Sequence, residues 1–196
     1  MKKNFIYCLK IVLPLVVICL MTVGMISAVN YFTAPVIEQN KKNTFDATLG
    51  TLFGIAEGDK LTAEQLPPQQ HGLDPALIKA AYRIYINDAP AGFCFDTVGQ
   101  GAYKGTIEML VAIDTEGRVL DLSCIRQTET PGKGDAVLND SFYEEYYSGK
   151  TFEQLAEKNA VIAGSTKTST ALKNAVDNAL KAYETLLSKE DAPNEN

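Results

Sequence analysis

The chain of 196 residues is long enough for one ordinary domain plus an attached segment, and an apolar content of 46% suffices for a packed core. Its formal charge is −6; setting aside Lys2, Lys3 and Lys10 from the 18 basic side chains leaves 15 against 24 acidic ones, a net of −9. An acidic body excludes a reader of phosphate backbones, which needs clustered Lys and Arg, so nucleic acid is not an expected partner.

Cysteine and histidine usage removes another class. The sequence holds four cysteines, no CxxC pair and a single histidine, His71. A structural zinc site needs about four such ligands, so no metal is expected. The single histidine sits in a Pro/Gln/Gly-rich stretch with no convincing context for a hydrolytic triad, and no catalytic residue is assigned.

In chain order, the first element is a membrane segment. Residues 11–29 carry no charge, and from Phe5 to Phe32 only Lys10 interrupts the apolar run, close enough to its end to snorkel. A spanning helix needs about 20 apolar residues. Pro14 falls early in the run, where a kink is tolerated. The preceding lysines predict a cytoplasmic N-terminus and an extracytoplasmic location for everything after Tyr31. A cleaved signal peptide is the alternative, with Ile26-Ser27-Ala28 as its cleavage site, but the stretch exceeds the roughly 7–15 apolar residues of a typical signal core.

Residues 36–53 read as a helix leaving the membrane, with Ile37, Phe45, Leu49 and Phe53 as a loose apolar stripe. Residues 57–76 are rich in Pro, Gln, Gly and charge and read as a surface loop. Strands are expected at Ala81–Ile86 and Ala91–Val98 around the turn Asn87-Asp88-Ala89-Pro90, then at Thr106–Ile113 and Arg118–Arg126 around Asp114-Thr115-Glu116-Gly117. Connections this short imply an antiparallel meander. Cys94 and Cys124 fall in these strands and either pair or remain free thiols.

A short helix is expected over Asn139–Tyr147. The closing helix carries Leu172, Val176, Leu180, Tyr183 and Leu187 on one face, with Thr168, Ser169 and Thr170 as acceptable N-caps before it. The predicted fold is α+β: an antiparallel sheet with packed helices, preceded by one N-terminal transmembrane helix. The expected division is 1–33 for the cytoplasmic N-terminus and anchor, 34–56 for the membrane-exit helix, 57–188 for the extracytoplasmic domain and 189–196 for a disordered tail.

Two stretches carry the chemistry. Ala163-Gly164-Ser165-Thr166-Lys167-Thr168-Ser169 precedes the amphipathic helix. Small residues let a ligand approach the backbone, and unpaired N–H groups at a helix start favour a phosphate. Gln127-Thr128-Glu129-Thr130-Pro131-Gly132-Lys133-Gly134 follows a strand and contains a Thr-Pro-Gly turn whose backbone groups can face a flat polar ring. Read singly, each is also compatible with a plain cap or turn.

Taken in order, four stretches resemble a known family. Asn30–Ile37 looks like its membrane exit, Gly101-Ala102-Tyr103-Lys104-Gly105 its aromatic-glycine turn, Glu129-Thr130-Pro131-Gly132 its Glu-Thr-Pro-Gly loop, and Ala163–Ser169 its Ser/Thr-Gly-Ala-Thr-x-Thr-Ser run. The family is the FMN-binding domain shared by the G subunit of Rnf electron-transport complexes and the C subunit of the sodium-translocating NADH:quinone reductase. The short length is closer to the Rnf protein.

The resemblance implies an FMN esterified through its phosphate to Thr166 by a flavin transferase acting on FAD. It makes Gly164 and Ser165 small neighbours of that residue and gives Thr168 and Ser169 to the phosphate. Glu129, Thr130, Gly132 and Lys133 would then lie by the isoalloxazine ring. It further implies an electron-carrier subunit, not a catalyst on its own, held in the cell membrane beside the other membrane subunits of an Rnf complex that moves electrons between ferredoxin and NAD⁺ with ion translocation. The chain departs from the pattern at Ala163 (usually Ser/Thr), Ser165 (usually Ala), Ala160 (often acidic) and Lys133 (often Leu), with Thr168 next in line should Thr166 be bypassed. Two other readings remain: a structural or sensory protein of the same fold without flavin, and a stand-alone extracytoplasmic flavoprotein carrier.

Overall fold

The structure, a computed structural model, describes residues 2–56, 58–67, 74–131, 134–156 and 161–190. His71, Gly132, Lys133, Ala160 and the last six residues lie outside the described residues. The chain divides into two compact units, Met1–Ala47 and Thr48–Asn196, and each is described by itself.

The first unit is formed by helix α1 (Lys2–Leu52), which also contributes its last residues to the second. Pro14 and Pro35 both lie inside it. The anchor and the exit segment, expected separately, therefore form one continuous helix. Each proline removes a single backbone bond, and the apolar stretch has no competing partner that would draw the chain out of the helix. Thr22 and Thr33 donate their hydroxyls to the carbonyls of Cys19 (2.9 Å) and Val29 (2.8 Å), so neither polar side chain is left unpaired along the apolar face. Every residue from 12 to 44 is exposed, the large apolar side chains from Val12 to Phe32 included. The helix is long and apolar enough to cross a membrane. Of the stripe expected further along, Leu49 is buried together with Leu52, while Ile37 is exposed.

In the second unit five strands form an antiparallel meander in the order β1-β2-β3-β4-β5: β1 Leu61–Leu66, β2 Ile78–Ile86, β3 Ala89–Ala102, β4 Gly105–Asp114 and β5 Val119–Arg126. β1 corrects the reading of 57–76 as loop. It is an edge strand on which only Leu66 is buried, so its apolar alternation is too weak to read against the flanking Pro and Gln. The β2–β3 connection is tighter than expected. Asn87 (φ 52°) and Asp88 (φ 64°) alone make the turn, as a two-residue hairpin loop requires, and Ala89 and Pro90 already belong to β3. In the β4–β5 turn Asp114 accepts the N–H groups of Glu116 and Arg118, each at 2.8 Å, and Gly117 takes φ 81°.

A 3-10 turn (Gly134–Val137) and helices α2 (Asp140–Tyr146) and α3 (Phe152–Ala156) lead to the long helix α4 (Thr166–Glu190). Asn139 caps α2, accepting the Phe142 N–H at 3.0 Å. Helix α4 lies over β3 and β4 and buries Leu172, Ala175, Val176, Ala179, Leu180, Tyr183 and Leu186 against Phe93, Phe95, Ile107, Met109, Val111 and Ile113. Leu186, not the expected Leu187, completes the buried face. The helix also runs through Ser188, Lys189 and Glu190, into the segment expected to be a disordered tail; Lys and Glu propagate a helix well once Leu186 anchors the preceding turn. Near its other end, a methyl group on Gly99 would overlap the Ala171 carbonyl oxygen, so the missing side chain of β3 is what lets the first turns of α4 rest on the sheet. Cys94 and Cys124 are both free, Cys94 fully buried.

β3 also carries an ionisable group out of balance. Burial, and then repulsion from Glu108, push the Asp96 carboxyl up from 3.8 to about 6, against the pull of Lys79 and Arg126. Glu108 is already paired with Lys79 at 2.5 Å, and Asp96 Oδ1 is buried without a hydrogen-bond partner. The folded state therefore holds this proton more tightly than the unfolded chain between pH 4 and 6. Stability is lost as pH rises through that window, and the full cost is present above it. Allowing for partial solvent exposure, Asp96→Asn is expected to stabilise the fold by roughly 1–2 kcal/mol at pH 8 and to leave it unchanged near pH 4. Chemical denaturation of both proteins at the two pH values measures the difference.

Candidate functional site

The site is built where α4 starts. Gly164 has φ 89°, a left-handed conformation that delivers the chain into the helix, and a Cβ there would meet nothing within 4 Å. Glycine is thus needed for its conformation, and the space beside it is open. Ser165 stands at the N-cap position. Its N–H donates to the Ile162 carbonyl at 3.0 Å, and its own carbonyl accepts both the N–H (2.8 Å) and the hydroxyl (3.0 Å) of Ser169.

Helix α4 therefore begins before Thr168, Ser169 and Thr170, which were expected as caps and lie inside its first turns. The error came from judging cap residues by type; Ser165 has the same chemistry, and only the observed start of the helix distinguishes them. Thr166 is the first helical residue and is exposed, whereas Ser165, Thr168 and Ser169 are buried.

Glu129 braces this start from below. It is 5% exposed, and its two carboxylate oxygens are both used. Oε2 accepts the Thr168 hydroxyl at 2.8 Å, and Oε1 accepts the Lys104 N–H at 2.9 Å. Its own N–H donates to Gln127 Oε1 at 2.6 Å. One buried side chain thus ties together the β3–β4 turn, the loop after β5 and the first turn of α4. Charge-assisted hydrogen bonds of this kind are about twice as strong as neutral ones.

Gly134 leaves room for the brace, since a methyl group there would collide with the Glu129 carboxylate. Gly134→Ala is accordingly expected to cost about 2–3 kcal/mol, by overpacking and by breaking the bond to Thr168. Glu129→Gln, which keeps an acceptor for Lys104 and a group for Thr168, should cost markedly less. Thermal unfolding of the two variants compares them.

Above the brace opens a cavity of about 430 Å³, lined by Tyr103, Thr130, Gly134 and the run from Gly164 to Thr168. Of the residues singled out in the sequence, Gly164, Ser165, Thr166, Thr168 and Thr130 line it together. Glu129 lies behind the wall and Ser169 beneath the cap, neither of them among the lining residues. Among the described residues Tyr103, Gly134 and Lys167 also line it and were not assigned from sequence. Tyr103 had a readable signal, being an aromatic residue in a turn between two glycines. Gly134 had none, because its role depends on where Glu129 folds.

The cavity fits a phosphorylated, flat cofactor. Its volume lies within the ordinary range for such sites, roughly 300–1,000 Å³. A helix start with its N–H groups and positive dipole end faces it, and an exposed hydroxyl stands at that end. Lys167 adds a cationic side chain beside Thr166.

Fold and site together define an α+β domain with a phosphate-type cavity at a helix start, on a chain whose N-terminal helix is long and apolar enough to cross a membrane. Residues 102–181, which hold three of the four motif stretches apart from Gly101, match the FMN-binding domain family. The chain is 27% identical over 181 residues to the G subunit of the ion-translocating oxidoreductase complex of Shewanella baltica, covering 85% of this chain and 84% of that one. It is 27% identical over 178 residues to the G subunit of the proton-translocating ferredoxin:NAD(+) oxidoreductase complex of Clostridium ljungdahlii, covering 87% and 89%. Against the G subunit of the Na(+)-translocating ferredoxin:NAD(+) oxidoreductase complex of Acetobacterium woodii it is 26% identical over 190 residues, covering 90% and 92%.

Proposed function

We propose that this chain is the electron-carrying G subunit of a membrane-bound, Rnf-type ferredoxin:NAD⁺ oxidoreductase, with FMN esterified through its phosphate to Thr166. The observation that carries the reading is the exposed Thr166 hydroxyl at the start of α4, in the wall of a flavin-sized cavity within the stretch that matches the FMN-binding domain family. Relatives that bear the G-subunit name and align along most of the chain support the placement in such a complex.

When bound, FMN supplies the redox chemistry, accepting electrons as a pair and releasing them singly. The residues of the chain bind and orient. In attachment, the Thr166 oxygen forms a bond to the FMN phosphorus of FAD, the pyrophosphate bond breaks, AMP leaves and the hydroxyl proton is released. A flavin transferase supplies the catalysis, since no described residue of the cavity is placed as a base for this proton. Afterwards the first-turn N–H groups and the helix dipole stabilise the remaining phosphodiester charge. Glu129 holds the Thr168 turn and the Tyr103-Lys104 turn together through its two carboxylate oxygens, which keeps the cavity walls in place. The apolar part of α1 anchors the chain in the cell membrane, with Lys2, Lys3 and Lys10 on the cytoplasmic side and the FMN domain outside, beside the other membrane subunits.

The test is the mass and colour of the full chain produced together with a flavin transferase. An added FMN moiety, and a band that fluoresces on a denaturing gel, are expected. Colourless protein of unmodified mass, from cells in which another flavinylated protein is labelled, would overturn the reading.

A further inference from the structure

We propose that Lys104, Lys167 and Arg126 form a cationic docking rim beside the cavity, which receives the acidic face of a redox protein exchanging electrons with the flavin. This rests on the reading of the cavity as a flavin site and adds the kind of partner that meets it. Beyond its three N-terminal lysines the chain carries a net charge of −9, so such a rim runs against the average.

Position along the sheet separates the charges. β3 has 14 residues, so the Asn87-Asp88 and Tyr103-Lys104 turns at its two ends lie about 40 Å apart at roughly 3.3 Å per residue. Exposed charges are screened beyond about 10 Å at 0.1 M salt, so a partner at the cavity end meets the charges of that end alone. Asp59, Lys60, Asp88, Asp114, Glu116 and Arg118 all stand at the far end.

Three elements bring cations to the cavity end. Lys104 follows Tyr103 in the β3–β4 turn, Arg126 ends β5 just before the loop to Thr130, and Lys167 lies in the first turn of α4. All three are exposed, Arg126 with 77% of its side chain in solvent. The Lys167 ammonium lies 5.9 Å from the centre of the Tyr103 ring, which brings it beside the turn that carries Lys104. Among the described residues neither lysine forms an ion pair. Arg126 has Glu108 at 3.9 Å, a carboxylate that Lys79 already holds.

The acids of this end are turned inward. Glu129 is buried between the Lys104 N–H and the Thr168 hydroxyl, and Asp96, Glu108 and Asp135 are half-buried. Lys173 and Asp177 of α4 cancel as an ion pair at 2.7 Å. Exposed acids stand farther out, at Asp74 before β2 and at Asp140 of α2 near Asp121 of β5. Cations drawn from a turn, a strand end and a helix start suit an extended anionic surface. Complementarity of this kind speeds encounter and aligns the two partners.

Electron transfer to charged probes reads the local charge. Full-length protein carrying covalent flavin is reduced anaerobically and mixed with ferricyanide, a trianion, or hexaammineruthenium(III), a trication. Each reduced flavin releases two electrons and two protons, and two equivalents of oxidant take one electron each. In wild type the ferricyanide rate is expected to fall several-fold from about 0.01 to 0.2 M salt, and the ruthenium rate to rise. The double variant Lys104→Gln, Arg126→Gln should weaken or reverse both slopes. Lys60→Gln with Lys181→Gln, an equal change of charge at exposed sites away from the rim, should not. In membranes holding the assembled complex, Lys104→Glu with Arg126→Glu should slow ferredoxin-to-NAD⁺ transfer several-fold at equal flavin content. Wild-type slopes of opposite sign, or transfer in membranes unchanged by the charge reversal, would overturn the rim and leave the flavin reading intact. Absence of covalent flavin from wild type itself would overturn both.

Discussion

Thr166→Ala is expected to abolish covalent flavin incorporation while leaving the fold in place. The side chain is exposed at the first position of α4, and no packing depends on it. Surface replacements of this kind change stability by no more than about 0.5 kcal/mol. The variant should therefore melt with wild type yet lack both the added mass and the fluorescent band on a denaturing gel, and Thr166→Ser, which restores a hydroxyl, should recover them. Flavin retained on the alanine variant would move the anchor elsewhere. Thr168, the next hydroxyl in the run, is only 1% exposed and donates a hydrogen bond to Glu129 at 2.8 Å, so attachment there would require that bond to open. Peptide mapping of any retained flavin distinguishes the two.

The second large effect is expected at Gly99, which is not among the residues lining the cavity. Its added methyl group would lie against backbone, on the Ala171 carbonyl, with the Ala171 carbonyl carbon at 2.8 Å and Ile107 Cγ1 at 3.0 Å. Backbone inside a helix cannot step aside as a side chain does, so α4 must lift from β3. Overpacking of this severity costs about 3 kcal/mol or more. Because Ala171 belongs to the turns of α4 that follow Thr166, flavin loading should fall with stability. Gly101→Ala is the control: its φ is 88° but nothing lies within 4 Å of the added carbon, so the cost is conformational, about 1–2 kcal/mol. Thermal unfolding together with intact mass separates the two effects. A Gly99→Ala protein as stable as wild type would show that α4 does not need this close contact.

Much of the molecule was legible because local rules govern it. The charge-free run 11–29 specified a helix without any partner, since an apolar helix satisfies its own backbone. The Asp114–Gly117 turn follows from side-chain chemistry within a few residues and stands as expected, and the short helix expected over Asn139–Tyr147 is present at Asp140–Tyr146 with Asn139 as its cap. The places where the reading slipped share a cause. β1 pairs with β2 across an intervening segment and buries little but Leu66, so its own residues say almost nothing. Ser165, Thr168, Ser169 and Thr170 are equivalent as cap types, and the choice among them was made by how α4 docks on the sheet.

The order of motifs along the chain determined the class of site: a glycine before a hydroxyl-rich helix start, preceded by a Thr-Pro-Gly loop and an aromatic turn. Backbone conformation and helix polarity act over a few residues, so such signals survive in one dimension. Only the tertiary structure decided what each residue does there. It placed Glu129 behind the wall, holding Lys104 and Thr168, and brought Tyr103 and Lys167 to the cavity. These contacts join strands, loop and helix that are far apart in sequence, and they exist only because burying α4 against β3 and β4 brings those segments together.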